Sequence, residues 1–206
     1  MVQIDQNKLQ AAIDAYKKYF PTKIGDEIYK WKAVKCFQDN WDIDAEDFAE
    51  MFWAATGKTE NLITSINRFP RKMLYEFAKL EQECVRNMFK GLFDERLELE
   101  QRISEFIKGA EALCVKHFPG KMHYQDLNSI STYLWMRYPD KYFIFKYSEV
   151  KRAINVLGAN FEVKKGASIS KVSSAFEMFE IMAEALNHDA NARPMLNAVL
   201  TNDCYK

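Results

Sequence analysis

Apolar residues along most of this chain recur at intervals of three and four positions, the period of a helix with one buried face. The stripes that predict helices cover residues 9–16, 28–34, 44–55, 70–77, 84–92, 99–113, 127–134, 148–157, 172–186 and 195–200. Proline and glycine mark several ends: Pro21 should stop the first helix, Pro70 should stand in the first turn of the fourth, and Gly158 should close the eighth. The residue that should cap the third helix is Asp44.

The sequence after residue 140 is less uniform. The run Tyr142–Tyr147 is rich in aromatic and β-branched residues, so it fits either a short strand or a buried loop. Phe161-Glu-Val163 alternates apolar and polar side chains and offers a partner strand. We therefore predict a mainly α fold, a compact multi-helix domain with at most a small β-ribbon after residue 140. It should comprise two helical subdomains, 1–120 and 121–206, packed together as one module.

Composition supports a folded helical protein. Of the 206 residues, 48% are hydrophobic and 14% aromatic, whereas glycine and proline number only 7 and 5, too few for a turn-rich β-sandwich or barrel. The formal net charge is zero, so no overall field draws the protein onto nucleic acid. Individual stretches are nevertheless charged: the net charge is +4 over residues 17–35, −6 over 39–60 and +4 over 137–165. Such blocks are either solvated faces or partner surfaces.

The four cysteines are widely spaced and form no C-x-x-C pair, and the chain does not open on a signal peptide. No apolar run approaches the roughly 20 residues that a membrane span needs. We therefore expect free thiols, a cytoplasmic location and no membrane partner.

Residue patterns for catalysis are missing from the sequence. Gly57-Lys58-Thr59 resembles the end of a phosphate-binding loop, but Phe52 stands where that loop needs its first glycine. The three histidines, His117, His123 and His188, have no zinc-site spacing, and no nucleophile elbow occurs. We predict a protein that is not an enzyme, with no catalytic residue, cofactor or metal.

Aromatic and basic residues are interleaved between Tyr133 and Arg152, where seven aromatic rings fall within the first fifteen residues. Rings stack on bases and cations neutralise phosphates, so this mixture is typical of a nucleic-acid surface. Further cations flank Phe69-Pro70 and form the Lys164-Lys165-Gly166 turn. The candidate nucleic-acid-binding residues are Trp135, Arg137, Tyr138, Lys141, Tyr142, Lys146, Tyr147, Lys151, Arg152, Lys164, Lys165, Arg68, Arg71 and Lys72. The alternative, that the rings are core and the cations are ordinary solvated residues, stays open.

Three stretches carry a family resemblance: WKAVKCFQDNWDIDAEDF at 31–48, NRFPR at 67–71 and NSISTYLWMRYPDKYFIFKYSEV at 128–150. They are similar to the N-terminal regions of bacterial McrB-like AAA+ proteins, the GTPase motors of type IV, modification-dependent restriction systems. The similarity spans nearly the whole chain.

The resemblance implies an antiphage specificity module, separated from its motor, that recognises modified or otherwise marked DNA. Its expected partners are DNA, an AAA+ motor domain that follows it in the full-length protein, and the nuclease subunit of that motor. A second hypothesis is a protein-interaction or autoinhibitory sensor module that does not bind DNA. The acidic block 39–60 and an apolar patch around Trp31, Trp41 and Trp53 would suit this role.

Overall fold

The computed structural model describes residues 1–64, 69–166, 168–193 and 195, and these are mainly helical. The α-helices are α1 (Gln6–Asn40), α2 (Phe48–Ala55), α3 (Pro70–Leu80), α4 (Gln82–Leu92), α5 (Leu99–His117), α6 (Leu127–Arg137), α7 (Tyr147–Leu157) and α8 (Val172–His188). A 3₁₀ turn at Ile169–Lys171 precedes α8. The prediction of a mainly α fold is confirmed. The predicted last helix, 195–200, lies almost wholly outside the described residues.

The β-ribbon that the sequence allowed after residue 140 is not formed, since the described part of the chain contains no strand. The backbone of Tyr142–Lys146 is committed to the helices on either side. The Tyr142 N–H donates to Tyr138 O at 3.1 Å, at the end of α6, and Lys146 O accepts from Val150 N at 2.9 Å, in the first turn of α7. Tyr142 and Phe145 are buried, so this aromatic run is a loop with two buried rings.

The first helix does not stop at Pro21, and this prediction is wrong. α1 runs for 35 residues with Pro21 inside it. A proline costs its helix one backbone hydrogen bond and crowds the preceding turn. Here the Thr22 hydroxyl donates to Tyr19 O at 2.8 Å and so supplies a side-chain donor within the affected turn. The helix continues through Pro21 to Asn40 without a break.

Local side-chain and backbone chemistry sets where α2 and α3 begin and where α7 ends. The cap of α2 is Asp47, whose carboxylate accepts the Glu50 N–H at 3.0 Å, and not Asp44 as predicted. Pro70 is the first residue of α3, and Gly158 closes α7 in the left-handed conformation at φ +61°. Both of these predictions are confirmed.

The structure divides into two units, and their boundaries differ from the predicted 120/121 division. Unit 1 comprises Met1–Trp31 and the described residues from Phe145 onward, and unit 2 comprises Lys32–Ile144. In unit 1 the first residues bind the end of α7 and the start of the following loop: Asp5 N donates to Leu157 O at 2.9 Å, and Asn160 N donates to Gln3 O at 3.1 Å. These bonds join the beginning of the chain to its second half.

Unit 2 has an aromatic core centred on Phe89, which is fully buried. Six other rings lie with their centroids 4.9–6.0 Å from that of Phe89: Trp41, Phe48, Phe52, Phe93, Phe106 and Tyr133. Tilted and edge-to-face pairs of this kind add to the stabilisation that burial provides. This core therefore accounts for seven of the 29 aromatic residues of the chain.

Candidate functional site

Two of the predicted stacking rings belong to the core of unit 2. Trp135 is 8% exposed and Tyr142 4% exposed. Seven other residues of α6 between 129 and 136 are buried as well. The Tyr142 hydroxyl accepts a hydrogen bond from Arg102 Nη2 at 2.8 Å and donates one to Glu95 Oε1 at 2.8 Å. Neither ring offers an open face to a base, so the assignment of these two residues to stacking is corrected.

Arg71 also has an internal role in unit 2. Its Nε donates to Thr56 Oγ1 at 2.9 Å and its Nη2 to Trp53 O at 2.7 Å, which satisfies a carbonyl at the end of α2. The guanidinium carbon lies 3.4 Å from the centroid of the Trp53 ring, and burial lowers the pKa of Arg71. Arg71 is therefore a tie between α2 and α3 instead of a phosphate ligand. Its neighbour Lys72 is exposed, and Arg68 lies outside the described residues.

The remaining candidates in unit 2 are partly accessible. Lys141 is exposed, and its Nζ lies 2.5 Å from Glu95 Oε1; this hydrogen bond raises the pKa of Lys141. Arg137 lies with its guanidinium carbon 5.3 Å from the ring centroid of Tyr138, and both side chains are half-buried. These cations already have partners within the protein.

Unit 1 holds a series of exposed cations in its second half. Lys146, Lys151, Arg152, Lys164 and Lys165 are all exposed, and the structure adds Lys171, which the sequence reading missed. We call these six residues the basic segment. Arg152 pairs with Glu149 one turn away, while the four lysines at 146, 151, 164 and 165 have no acidic partner within the described part of the chain. Tyr147, half-buried, precedes Lys151 by one helical turn and shares its side of α7.

Two buried arginines of unit 2 were also missed by the sequence reading. Arg86 donates to the carbonyls of Ile43 and Ala45 and holds the loop before α2. Arg102 donates to Leu92 O at 2.9 Å and closes the end of α4. Phe89 stands three residues after Arg86, and Phe106 stands four residues after Arg102. This spacing places each arginine on the inward face of its helix, and it is the signal that could have identified them.

The tryptophan patch of the second hypothesis is only partly accessible. Trp41 packs in the aromatic core, 4.6 Å from Phe37 between ring centroids, whereas Trp53 is 37% exposed beside Arg71. Trp31 is half-buried and belongs to unit 1, so the three residues are divided between units.

Comparisons of the chain with protein families, with curated proteins and with solved structures find no match. The resemblance to McrB-like N-terminal regions therefore stays a prediction. Over the described ranges no His, Cys, Asp and Glu side chains gather in a group of three or more suited to a metal ion. None of the helices described there has the length and apolarity needed to cross a membrane.

Proposed function

We propose that this chain is a non-catalytic nucleic-acid-binding module that binds DNA phosphates through the basic segment of unit 1. The observation that carries the proposal is the imbalance of charge along this stretch. The stretch from Lys146 to Lys171 contains six exposed basic side chains but only two acidic residues, Glu149 and Glu162. Cations without acidic partners bind phosphate readily, because no internal ion pair has to be broken first.

The basic segment also has chain geometry that suits a phosphate. The Lys164-Lys165-Gly166 turn has Gly166 at φ +79°, and this exposed turn carries two ammonium groups in sequence. Tyr147 is the one predicted stacking ring in unit 1, and a cation stands one helical turn after it. In this proposal the cations supply affinity, and Tyr147 contacts a base or sugar.

Salt dependence provides a quantitative test. If the six cations of the basic segment each neutralise one phosphate of a duplex, log K should fall against log salt with a slope of about −5. Replacing Lys146→Ala and Lys151→Ala together should weaken binding on every sequence and reduce the slope by about 2. The matched control is Lys90→Ala with Lys108→Ala, which removes the same charge from exposed lysines of unit 2 and should leave the slope unchanged.

The measurement is fluorescence anisotropy with labelled methylated and unmethylated duplexes and a single strand, at two salt concentrations. Binding by none of them at low salt would refute the proposal, as would equal effects of the two double variants. Capture of a protein partner together with indifference to DNA would support the sensor hypothesis instead. Preference for the methylated duplex would support the role that the McrB-like resemblance implies, next to an AAA+ motor and its nuclease subunit.

A further inference from the structure

Unit 2 contains a pocket between the end of α5 and the start of α6, and none of its lining residues belongs to the basic segment. It has a volume of about 520 Å³ and is lined by residues 118–126 together with Glu111, Cys114 and Val115 of α5. This volume is within the range of about 300–1,000 Å³ that small-molecule sites occupy. Val115 and Met122 are 70% and 67% exposed, so apolar surface is presented to solvent at the pocket.

Packing fixes two aromatic rings of this pocket. Phe118 lies with its centroid 5.8 Å from that of Phe77, and Tyr124 lies 6.1 Å from Phe69, edge to face. Tyr124 adopts φ +57°, a left-handed conformation that is costly for a tyrosine. The pocket thus combines half-buried aromatic rings with exposed apolar side chains.

The charged side chains that line the pocket favour a positively charged ligand. Glu111 and Asp126 are exposed carboxylates in the lining, opposed by Lys121. Burial lowers the pKa of His123 and so disfavours a positive charge on this ring. Its Nδ1 accepts the Gln125 N–H at 3.0 Å, so the neutral ring carries its proton on Nε2.

The Asp126 carboxylate is held in position, since it accepts the Ser129 N–H at 3.1 Å as the cap of α6. We propose that this pocket binds an organic ammonium ion with an apolar or aromatic body. Glu111 and Asp126 attract the ammonium group, the faces of Phe118 and Tyr124 accept it or its body, and Met122 covers the apolar part. This inference is independent of the nucleic-acid proposal.

Three probes with the same phenylethyl body test the charge preference: 2-phenylethylamine, 2-phenylethanol and 3-phenylpropanoate. Their dissociation constants are measured by NMR from the methyl resonance of Met122 and the ring resonances of His123. We expect the amine to bind about fivefold more tightly than the alcohol, the factor that one exposed ion pair contributes at the upper end of its range. The carboxylate should bind most weakly.

Substitutions test whether the two carboxylates cause the preference for the amine. Glu111→Gln with Asp126→Asn should reduce amine binding to the level of the alcohol and leave alcohol binding unchanged, and asparagine preserves the cap of α6. Glu105→Gln, an exposed acid on the same helix outside the lining, should leave all three probes unaffected. Equal affinities for the three probes, shifts elsewhere than Met122 and His123, or no saturable binding of the amine would overturn the proposal.

Discussion

Replacement of Arg102 by methionine is the perturbation that best tests the packing of unit 2. The Arg102 side chain is 5% exposed and spans from the end of α4 to the loop after α6. Its Nη1 donates to Leu92 O at 2.9 Å and its Nη2 to the Tyr142 hydroxyl at 2.8 Å. Its Nε is buried with no hydrogen-bond partner among the described residues. Two bonds therefore stabilise the folded state while one desolvated donor opposes it.

The expected loss follows from these three groups. Hydrogen bonds to a charged donor contribute about 1.5–3 kcal/mol each, so the two bonds together contribute about 3–6 kcal/mol. Removing the buried Nε that lacks a partner recovers about 1–3 kcal/mol. Glu95 keeps Lys141 as a partner, so the substitution leaves no isolated buried charge. Taking the middle of each range, about 4.5 less about 2, we expect Arg102→Met to lower the free energy of unfolding by about 2–3 kcal/mol.

Urea unfolding followed by tryptophan fluorescence is the appropriate assay, because three of the four tryptophans lie in unit 2. The control is Arg96→Met, where the side chain is 88% exposed and pairs with Asp94. This variant should change the free energy of unfolding by less than about 0.5 kcal/mol. If Arg102→Met unfolds at the same urea concentration as the parent chain, the reasoning about the Arg102 network is refuted.

Three further contacts can be tested by substitution. Asp47→Ala should lower the free energy of unfolding by about 1 kcal/mol through loss of the α2 cap, whereas Asp44→Ala should have little effect, as chemical denaturation can show. Tyr133→Phe removes a buried hydroxyl that donates to a buried glutamine at 3.1 Å and should cost about 1–3 kcal/mol in the same measurement. The hydrogen bond from Lys17 lowers the pKa of Asp189 from 3.8 to about 2, so its stabilisation is present above about pH 4 and is lost as the pH falls through about 2. The Asp189→Asn variant should have a lower melting temperature than the parent protein at neutral pH, and the two melting temperatures should converge at low pH. A difference in melting temperature that stays constant down to pH 2 would contradict this.

Much of the helical structure could be predicted from the sequence, because it depends on local chemistry. Pro70 begins α3 and Gly158 ends α7 because a fixed φ favours a first turn and a missing Cβ permits the left-handed conformation at a helix end. The long stripes of α5 and α8 were recognised for a similar reason, since a period of 3.6 residues exposes one face and buries the other. The lysines of the basic segment were also predictable as exposed cations, because ammonium groups are rarely buried without a partner.

The roles of the aromatic and arginine side chains could not be read in this way. Tyr142 and Trp135 are aromatic residues of the kind that stack on bases, yet both are buried in unit 2. Arg71 was expected to bind phosphate, but it donates instead to the carbonyl of Trp53 at the end of α2. Burial and hydrogen-bond partners of this kind depend on residues that are distant in the chain. The period of a sequence specifies which residues share a helix face, but it does not specify what that face meets.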